Sequence, residues 1–474
     1  MGSHSKEKDR KSASHTAEKS ELRSEARSEI RSEAEHIEGF DKEEEKARIL
    51  KEYEFYHGFL PREDLFCLLK YVGEFLIRVS EVDNDPRQRG KREIILSVVC
   101  ECTPNELSRI SNIDRPINEK EDEAQGKTGY DKKVRGKLKN VIVRRKGGKY
   151  LVEVARLFES IPQLIDHYRQ TPGKLNKITF LLKYPIKQQS WEYTHQDVQQ
   201  GKLLGEGAFG EVRAGTLRLK TGKVVDVAIK VTKGCSDIGK AKIKEMMKEA
   251  RLMRNFRHRN VVRIYGVAVD EQPLYIILEL VSGGALNTFL KENAGKVEVK
   301  EKLDMCLGAA LGVEYLHLNQ CMHRDLAARN CLITKEKVVK ISDFGLSRLG
   351  VQYRLKAAMK LPIKWLAPET ITTFTFSLKT DVFSYGVMVY EIFSDGAEPW
   401  DGHTNAEVKK AVIEGKCLTF PKCTPEKVRK FFVQHVLVKN PASRATMSEV
   451  VKLLQACGAT SGAPRSQMSE VRST

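Results

Sequence analysis

The stretch His323-Arg-Asp-Leu-Ala-Ala-Arg-Asn330 decides how this chain is read. It sets a carboxylate, Asp325, and an amide, Asn330, five positions apart, with Arg329 beside the amide. Downstream stand Asp343-Phe344-Gly345 and then Ala367-Pro368-Glu369. A carboxylate to accept a hydroxyl proton, with an amide and a second carboxylate to hold a divalent cation, is equipment for phosphoryl transfer. That reaction asks the protein for charge neutralisation and in-line positioning rather than for covalent chemistry.

Upstream lies Gly205-Glu-Gly-Ala-Phe-Gly-Glu-Val212. A lone glycine-rich string also occurs in dinucleotide-binding folds, where it must open a helix. Here Val212-Arg-Ala-Gly-Thr-Leu217 follows and reads as a strand, so the glycines form a flap between strands. Val227-Ala-Ile-Lys230 then delivers one lysine from an apolar strand. An edge lysine is the ordinary reading of that string taken alone. The following helix, expected over 240–255, carries the stripe Ile243, Met246, Met247, Ala250 and Met253, with Glu249 bordering it. A carboxylate there needs a cation, and Lys230 is the candidate.

Taken together and in this order, these strings resemble a protein kinase domain over residues 198–457. The resemblance implies a bilobal kinase fold that binds ATP with Mg²⁺, or alternatively Mn²⁺. It places Leu204, Gly205, Glu206, Gly207, Ala208, Phe209, Gly210 and Val212 over the nucleotide, with Ala228 and Leu332 completing the adenine sandwich and Leu278 behind it. It implies Asp325 as proton acceptor and Lys230, fixed by Glu249, on the α- and β-phosphates. Asn330 and Asp343 are the implied metal ligands, and Glu369 pairs with Arg444. Ala327-Ala328 before Arg329, and Leu361-Pro-Ile-Lys-Trp365 before Ala367, resemble tyrosine kinases rather than serine/threonine kinases. Tyr353 is the one tyrosine between Asp343 and Glu369, an expected regulatory phosphosite with Arg324 and Arg348 near it.

Residues 53–185 read as a smaller α+β domain. Helices are expected around Leu65–Leu69 and on Ile161, Leu164, Ile165 and Tyr168. Strands are expected in the runs starting at Phe75, Glu93, Asn140 and Lys149, with a long surface loop over 101–131. Arg78 stands inside an apolar strand, which is costly without an anion. Phe55-Tyr-His-Gly58, the helix start with Arg62, and Phe75-Leu-Ile-Arg-Val-Ser80 resemble an SH2 domain. That resemblance implies phosphotyrosine binding by Arg78, Arg62 and Ser80. Phe55 stands where the family has Trp, and Asn140 where it usually has His. An SH2 domain joined directly to a tyrosine kinase resembles the Fes/Fer group. Val225–Gly234, Lys242–Asn255 and Leu361–Thr370 are most similar to its nematode branch.

The expected organisation is therefore α+β throughout. A charged, disordered segment (1–52) precedes the SH2 domain (53–185), a linker (186–197), the kinase domain (198–457) and a disordered tail (458–474). The formal charge of +18 sits in the folded parts, since residues 1–54 carry 12 basic and 15 acidic side chains. Such an excess suits phosphate handling, and no nucleic-acid motif accompanies it. Ten scattered cysteines with no apolar N-terminal run point to a cytoplasmic protein with reduced thiols. The start Met1-Gly-Ser-His-Ser-Lys6 approaches a myristoylation signal but has Lys6 where Ser or Thr is required. Partners expected are protein substrates and tyrosine-phosphorylated proteins, with peripheral recruitment to the cytoplasmic face of the plasma membrane. The alternative is a pseudokinase adaptor that only binds phosphotyrosine. The presence of Lys230, Glu249, Asp325, Asn330 and Asp343 together speaks against it.

Overall fold

Helices and strands follow one another from Arg62 to Ala456 in a mixed α/β order. The computed structural model describes residues 50–81, 92–101, 134–175, 178–207, 210–232, 240–355 and 361–461. The segment 1–49, the expected loop over 101–131 (apart from Glu101), Ala208, Phe209 and the tail from residue 462 lie outside them. Contacts divide the chain into two units. One is built on residues 50–58, 66–78 and 94–188; the other is built on 189–461, with residues 59–65 and the adjoining ends of two strands.

In chain order the first part contains α1 (Arg62–Leu68), β1 (Glu74–Glu81), β2 (Arg92–Cys100), β3 (Lys137–Ile142), β4 (Arg144–Lys146) and β5 (Lys149–Leu151). Then come α2 (Ile161–Gln170), β6 (Gly173–Leu175), β7 (Ile178–Phe180) and β8 (Tyr184–Pro185). One sheet has the order β3-β2-β1-β8, with β8 parallel to β1 and β3 antiparallel to β2. Phe75, Leu76 and Ile77 are consecutive and fully buried, so β1 is covered on both faces. Helix α2 forms because Ile161, Leu164, Ile165 and Tyr168 make one apolar stripe and Ser160 caps its first turn by accepting from Gln163 N. The strand expected from Lys149 to Val154 stops at Leu151. The Glu153 carboxylate instead accepts from Tyr168 Oη at 2.7 Å and Lys174 N at 3.0 Å, which turns the chain away and leaves Val154 exposed.

The second unit opens with β9 (Glu192–Tyr193), β10 (Val198–Gly207), β11 (Gly210–Arg218) and β12 (Val224–Thr232). Helix α3 (Lys240–Met253), β13 (Ile264–Ala268) and β14 (Tyr275–Glu279) follow. Its sheet has the order β10-β11-β12-β14-β13-β9. The glycine-rich string links two antiparallel strands, Gly207 opposite Gly210, and no helix begins there. The remainder is largely helical: α4 (Leu286–Glu292), α5 (Val299–Leu318), α6 (Pro368–Thr373), α7 (Leu378–Phe393), α8 (Asn405–Glu414), α9 (Glu426–Phe431) and α10 (Met447–Ala456). Between them run the short strands β15 (Cys321–Met322), β16 (Cys331–Ile333), β17 (Val339–Ile341), β18 (Arg348–Leu349), β19 (Gln352–Arg354) and β20 (Thr375–Ser377). Helix α7 is buried nearly all round, which makes it the post on which the adjoining loops are hung. Among the described residues no helix is long and apolar enough to cross a membrane.

Candidate active site

The β11-β12-β14 register sets Lys230 between Val212 and Ile276. Its Nζ donates to both oxygens of Glu249, each at 2.9 Å. Glu249 comes from the buried edge of α3 and is 7% exposed. Burial pushes its carboxyl above the ordinary glutamate range, Lys230 pulls it down, and Asp343 adds to the rise. Ala228 lies opposite Leu278 on β14, and Leu332 on β16 bridges to Ala285. Leu204 and Gly205 are exposed near the end of β10, and a side chain at Gly205 would meet nothing.

The 323–330 loop hangs on buried carboxylates. Asp381 of α7, 1% exposed, accepts from His323 N at 2.7 Å and Arg324 N at 2.9 Å. His323 Nε2 faces Ser342 O at 3.0 Å, and the ring packs edge-on against buried Phe344. Arg324 and Asp343 both have positive φ, 72° and 56°, a strain that functional loops hold when their surroundings over-determine them. Asn330 Nδ2 donates to Asp325 O at 2.8 Å. The β16-β17 ribbon pairs Cys331 with Ile341, and Ser342 N donates to Asn330 O at 2.9 Å. Asn330 and Asp343 therefore project from the same end of one ribbon. The exposed Asp343 carboxylate and the Asn330 amide oxygen are hard oxygen donors, a set that fits Mg²⁺ or Mn²⁺.

Arg329 Nη2 donates to Asp325 Oδ1 at 2.6 Å, and its guanidinium lies 4.3 Å from the Trp365 ring centroid. Glu391 of α7 accepts from Ala328 N at 2.9 Å and Trp365 Nε1 at 3.0 Å, both on Oε2. Glu369 and Arg444 close a two-pronged pair at 2.6 and 2.7 Å. Tyr353 on β19 lies under the guanidiniums of Arg348 and Arg324, at 3.8 and 5.0 Å from its ring centroid.

In the first unit, Arg78 is 4% exposed. Its Nε donates to Ser97 Oγ at 3.3 Å and its Nη2 to Asn140 Oδ1 at 3.2 Å, while Ser97 Oγ donates to Asn140 Oδ1 at 2.7 Å. Ser80 follows Arg78 by two residues on β1, and Arg62, in the 59–65 segment that groups with the second unit, is exposed at the start of α1. Sequence reasoning passed over Ser97, Asp381 and Glu391. The signal was a polar residue inside an apolar run: Ser in Ile94-Ile-Leu-Ser-Val-Val99, and two acids in α7.

Residues 198–454 match the family described as protein tyrosine and serine/threonine kinase. The chain is 35% identical to human tyrosine-protein kinase Fer over 410 residues, 85% of this chain but 44% of that protein. It is 33% identical to the tyrosine-protein kinase transforming protein Fps of avian sarcoma virus over 84% of this chain and 66% of the relative. It is 34% identical to Fer-related kinase 1 of Caenorhabditis elegans, over 86% of this chain and 94% of that protein. The chain thus spans less than half the length of human Fer and nearly all of the nematode relative.

Proposed function

The chain belongs to the Fes/Fer group of protein tyrosine kinases, and from that premise we propose that it transfers the γ-phosphoryl group of ATP to tyrosine hydroxyls of proteins. We assign residues 198–457 to that reaction and 53–185, as an SH2-type unit, to recruitment by tyrosine-phosphorylated proteins in the cytoplasm.

ATP, bound with Mg²⁺ or Mn²⁺, supplies the phosphoryl group. Lys230 holds the α- and β-phosphates with its charge fixed by Glu249, and Asn330 and Asp343 would hold the metal, which would neutralise charge on the phosphates. Val212, Ala228 and Leu332 enclose adenine beneath the 204–212 flap. Asp325 takes the proton from the tyrosine Oη as the Oη–Pγ bond forms. The bond from Pγ to the β,γ-bridging oxygen breaks, and its electron pair leaves with ADP. Arg329, stacked on Trp365, steadies the Asp325 carboxylate. Phosphorylation of Tyr353 orders its segment through Arg324 and Arg348.

The observation that carries this reading is the two-pronged Lys230–Glu249 pair, nearly buried and closed at 2.9 Å on both oxygens. A pure adaptor has no use for it. The test is phosphotransfer to poly(Glu,Tyr) with phosphoamino-acid analysis. Asp325→Asn is expected to lower the rate about 10²–10⁴-fold, the worth of a general base. Lys230→Met is expected to abolish transfer, both variants keeping wild-type circular dichroism. Near wild-type rates in either variant, or mainly phosphoserine in the product, would overturn the assignment.

A further inference from the structure

His195 stands between β9 and β10, outside the residues assigned to the transfer reaction. Its Nε2 lies 2.8 Å from Pro273 O, an oxygen that only accepts, so Nε2 carries a hydrogen. Its Nδ1 lies 2.6 Å from Asp270 Oδ1 and 4.0 Å from Glu271 Oε1. A neutral imidazole has a single N–H. With that hydrogen on Nε2, Nδ1 turns a lone pair towards two carboxylates, and a cation between them is what makes the arrangement favourable. That cation is a second proton or a metal ion.

We propose that Nδ1 of His195 and the carboxylates of Asp270 and Glu271 form a binding site for a divalent transition metal ion, with Zn²⁺ as its best match. One nitrogen and two carboxylate oxygens are a donor set that Zn²⁺ takes at about 2.0–2.2 Å, whereas Mg²⁺ and Ca²⁺ prefer oxygen alone. The three donor atoms lie within 4.8 Å of one another. A tetrahedral ion spaces its ligands at about 3.3–3.6 Å. Asp270 therefore opens from 2.6 Å and Glu271 closes from 4.0 Å, each by about 1 Å or less. The outer shell of such a site is present as well. Ligating histidines commonly give their other N–H to a backbone carbonyl, as His195 does to Pro273, and ligating carboxylates are themselves hydrogen-bonded. His195 N donates to Asp270 Oδ1 and Oδ2 at 3.2 and 3.4 Å. The buried Tyr275 packs its ring 4.2 Å from that of His195 and closes one side. Glu271, with a side chain 47% exposed, leaves a path from solvent.

On binding, the ion takes the place of the proton on Nδ1, which leaves to solvent. It ties His195 to the turn between β13 and β14, where Asp270 stands 75 positions away. An ion held by the folded chain and not by the unfolded one adds its binding free energy to folding stability. Residues 186–197 join the two assigned segments, so the ion pins that connection at its kinase end.

The test uses the full chain, stripped with a chelator and held in excess Mg²⁺ so that sites of oxygen donors alone are filled. Zn²⁺ is titrated calorimetrically into wild type, Glu271→Gln and His195→Gln, and thermal unfolding is followed with and without Zn²⁺. Co²⁺ is then used in place of Zn²⁺ and its visible absorption recorded. Wild type is expected to bind Zn²⁺, to unfold at higher temperature in its presence, and to give Co²⁺ a visible band. Glu271→Gln is expected to weaken Zn²⁺ binding by at least about tenfold, and His195→Gln to lose both the binding and the Co²⁺ band. The Glu271 side chain is exposed, so Glu271→Gln is expected to fold and carries the test even where His195→Gln does not. A shared proton needs only Asp270. Zn²⁺ affinity unchanged in Glu271→Gln would therefore mean that His195 and Asp270 hold a proton and no metal site exists. A wild type that binds no Zn²⁺, or that Zn²⁺ stabilises no more than it does the variants, overturns the inference as well.

Discussion

Glu249 has to be ionised to hold Lys230, yet its surroundings favour the protonated form. Burial is the largest influence, Lys230 opposes it, and Asp343 reinforces it, with the net effect upward from the ordinary value near 4.5. A carboxyl whose pKa is higher folded than unfolded binds protons more readily in the folded state. Through this group, stability is greatest below the unfolded value and declines as pH rises through the folded one. Acidification therefore protonates Glu249 without unfolding the protein on its account, and the cost falls on Lys230, which loses its counter-ion. The expected outcome is an acid limb in kcat that sets in above pH 4.5 while circular dichroism is still native. Initial rates and ellipticity measured across the same pH series check this. Rate loss that coincides with unfolding would show that Glu249 is not the titrating group.

Helix α7 is the element that turns a chain of motifs into a site. Its two buried acids serve the irregular loops beside it in different ways. Asp381 spreads two backbone donors over both oxygens, Arg324 N on Oδ1 and His323 N on Oδ2. Glu391 collects Ala328 N and Trp365 Nε1 on Oε2 alone. An amide keeps one acceptor oxygen. Asp381→Asn thus strands a buried N–H and is expected to cost about 1–3 kcal/mol, whereas Glu391→Gln keeps both bonds and costs much less. Chemical denaturation of the two variants compares them, and equal losses would contradict the geometry. The same helix marks where the sequence stops being legible. The stripe of α3 has a period and an edge, so Glu249 could be aimed at Lys230 from the residues alone, and the two do meet. Helix α7 is apolar on nearly every side, so periodicity assigns its acids no direction. Ser97 was equally silent, because its bond to Asn140 between β2 and β3 depends on a register that the chain reveals only when paired. The run Lys149–Val154 is rich in strand-forming residues, but Glu153 satisfies Tyr168 and Lys174 instead of the ladder.

At the scale of the molecule, the proposal joins a unit that binds phosphotyrosine to one that makes it. Only residues 186–197 separate the assigned segments. A substrate already phosphorylated at one site and held at Arg78 then offers its next tyrosine to Asp325 from a tethered position. A short linker commonly sets the effective concentration of such a second site at about millimolar. The tether depends on the guanidinium fork. Ser97 takes Nε and Asn140 takes Nη2, which orients the plane of Arg78 within a strand buried on both faces. Lysine keeps the charge but has neither the plane nor the second direction. Arg78→Lys is therefore expected to weaken phosphopeptide binding by about ten- to a hundredfold, the worth of the lost charge-assisted bonds. It is also expected to slow turnover of pre-phosphorylated multisite substrates, while a short unphosphorylated peptide is turned over at nearly the wild-type rate. Calorimetric titration with a phosphotyrosine peptide, run beside initial rates on both substrates, separates binding from chemistry. If affinity is unchanged in Arg78→Lys, the arginine is structural and the first unit recognises something other than phosphotyrosine. If affinity falls but both substrates slow equally, the first unit acts on the catalytic unit itself rather than by holding the substrate.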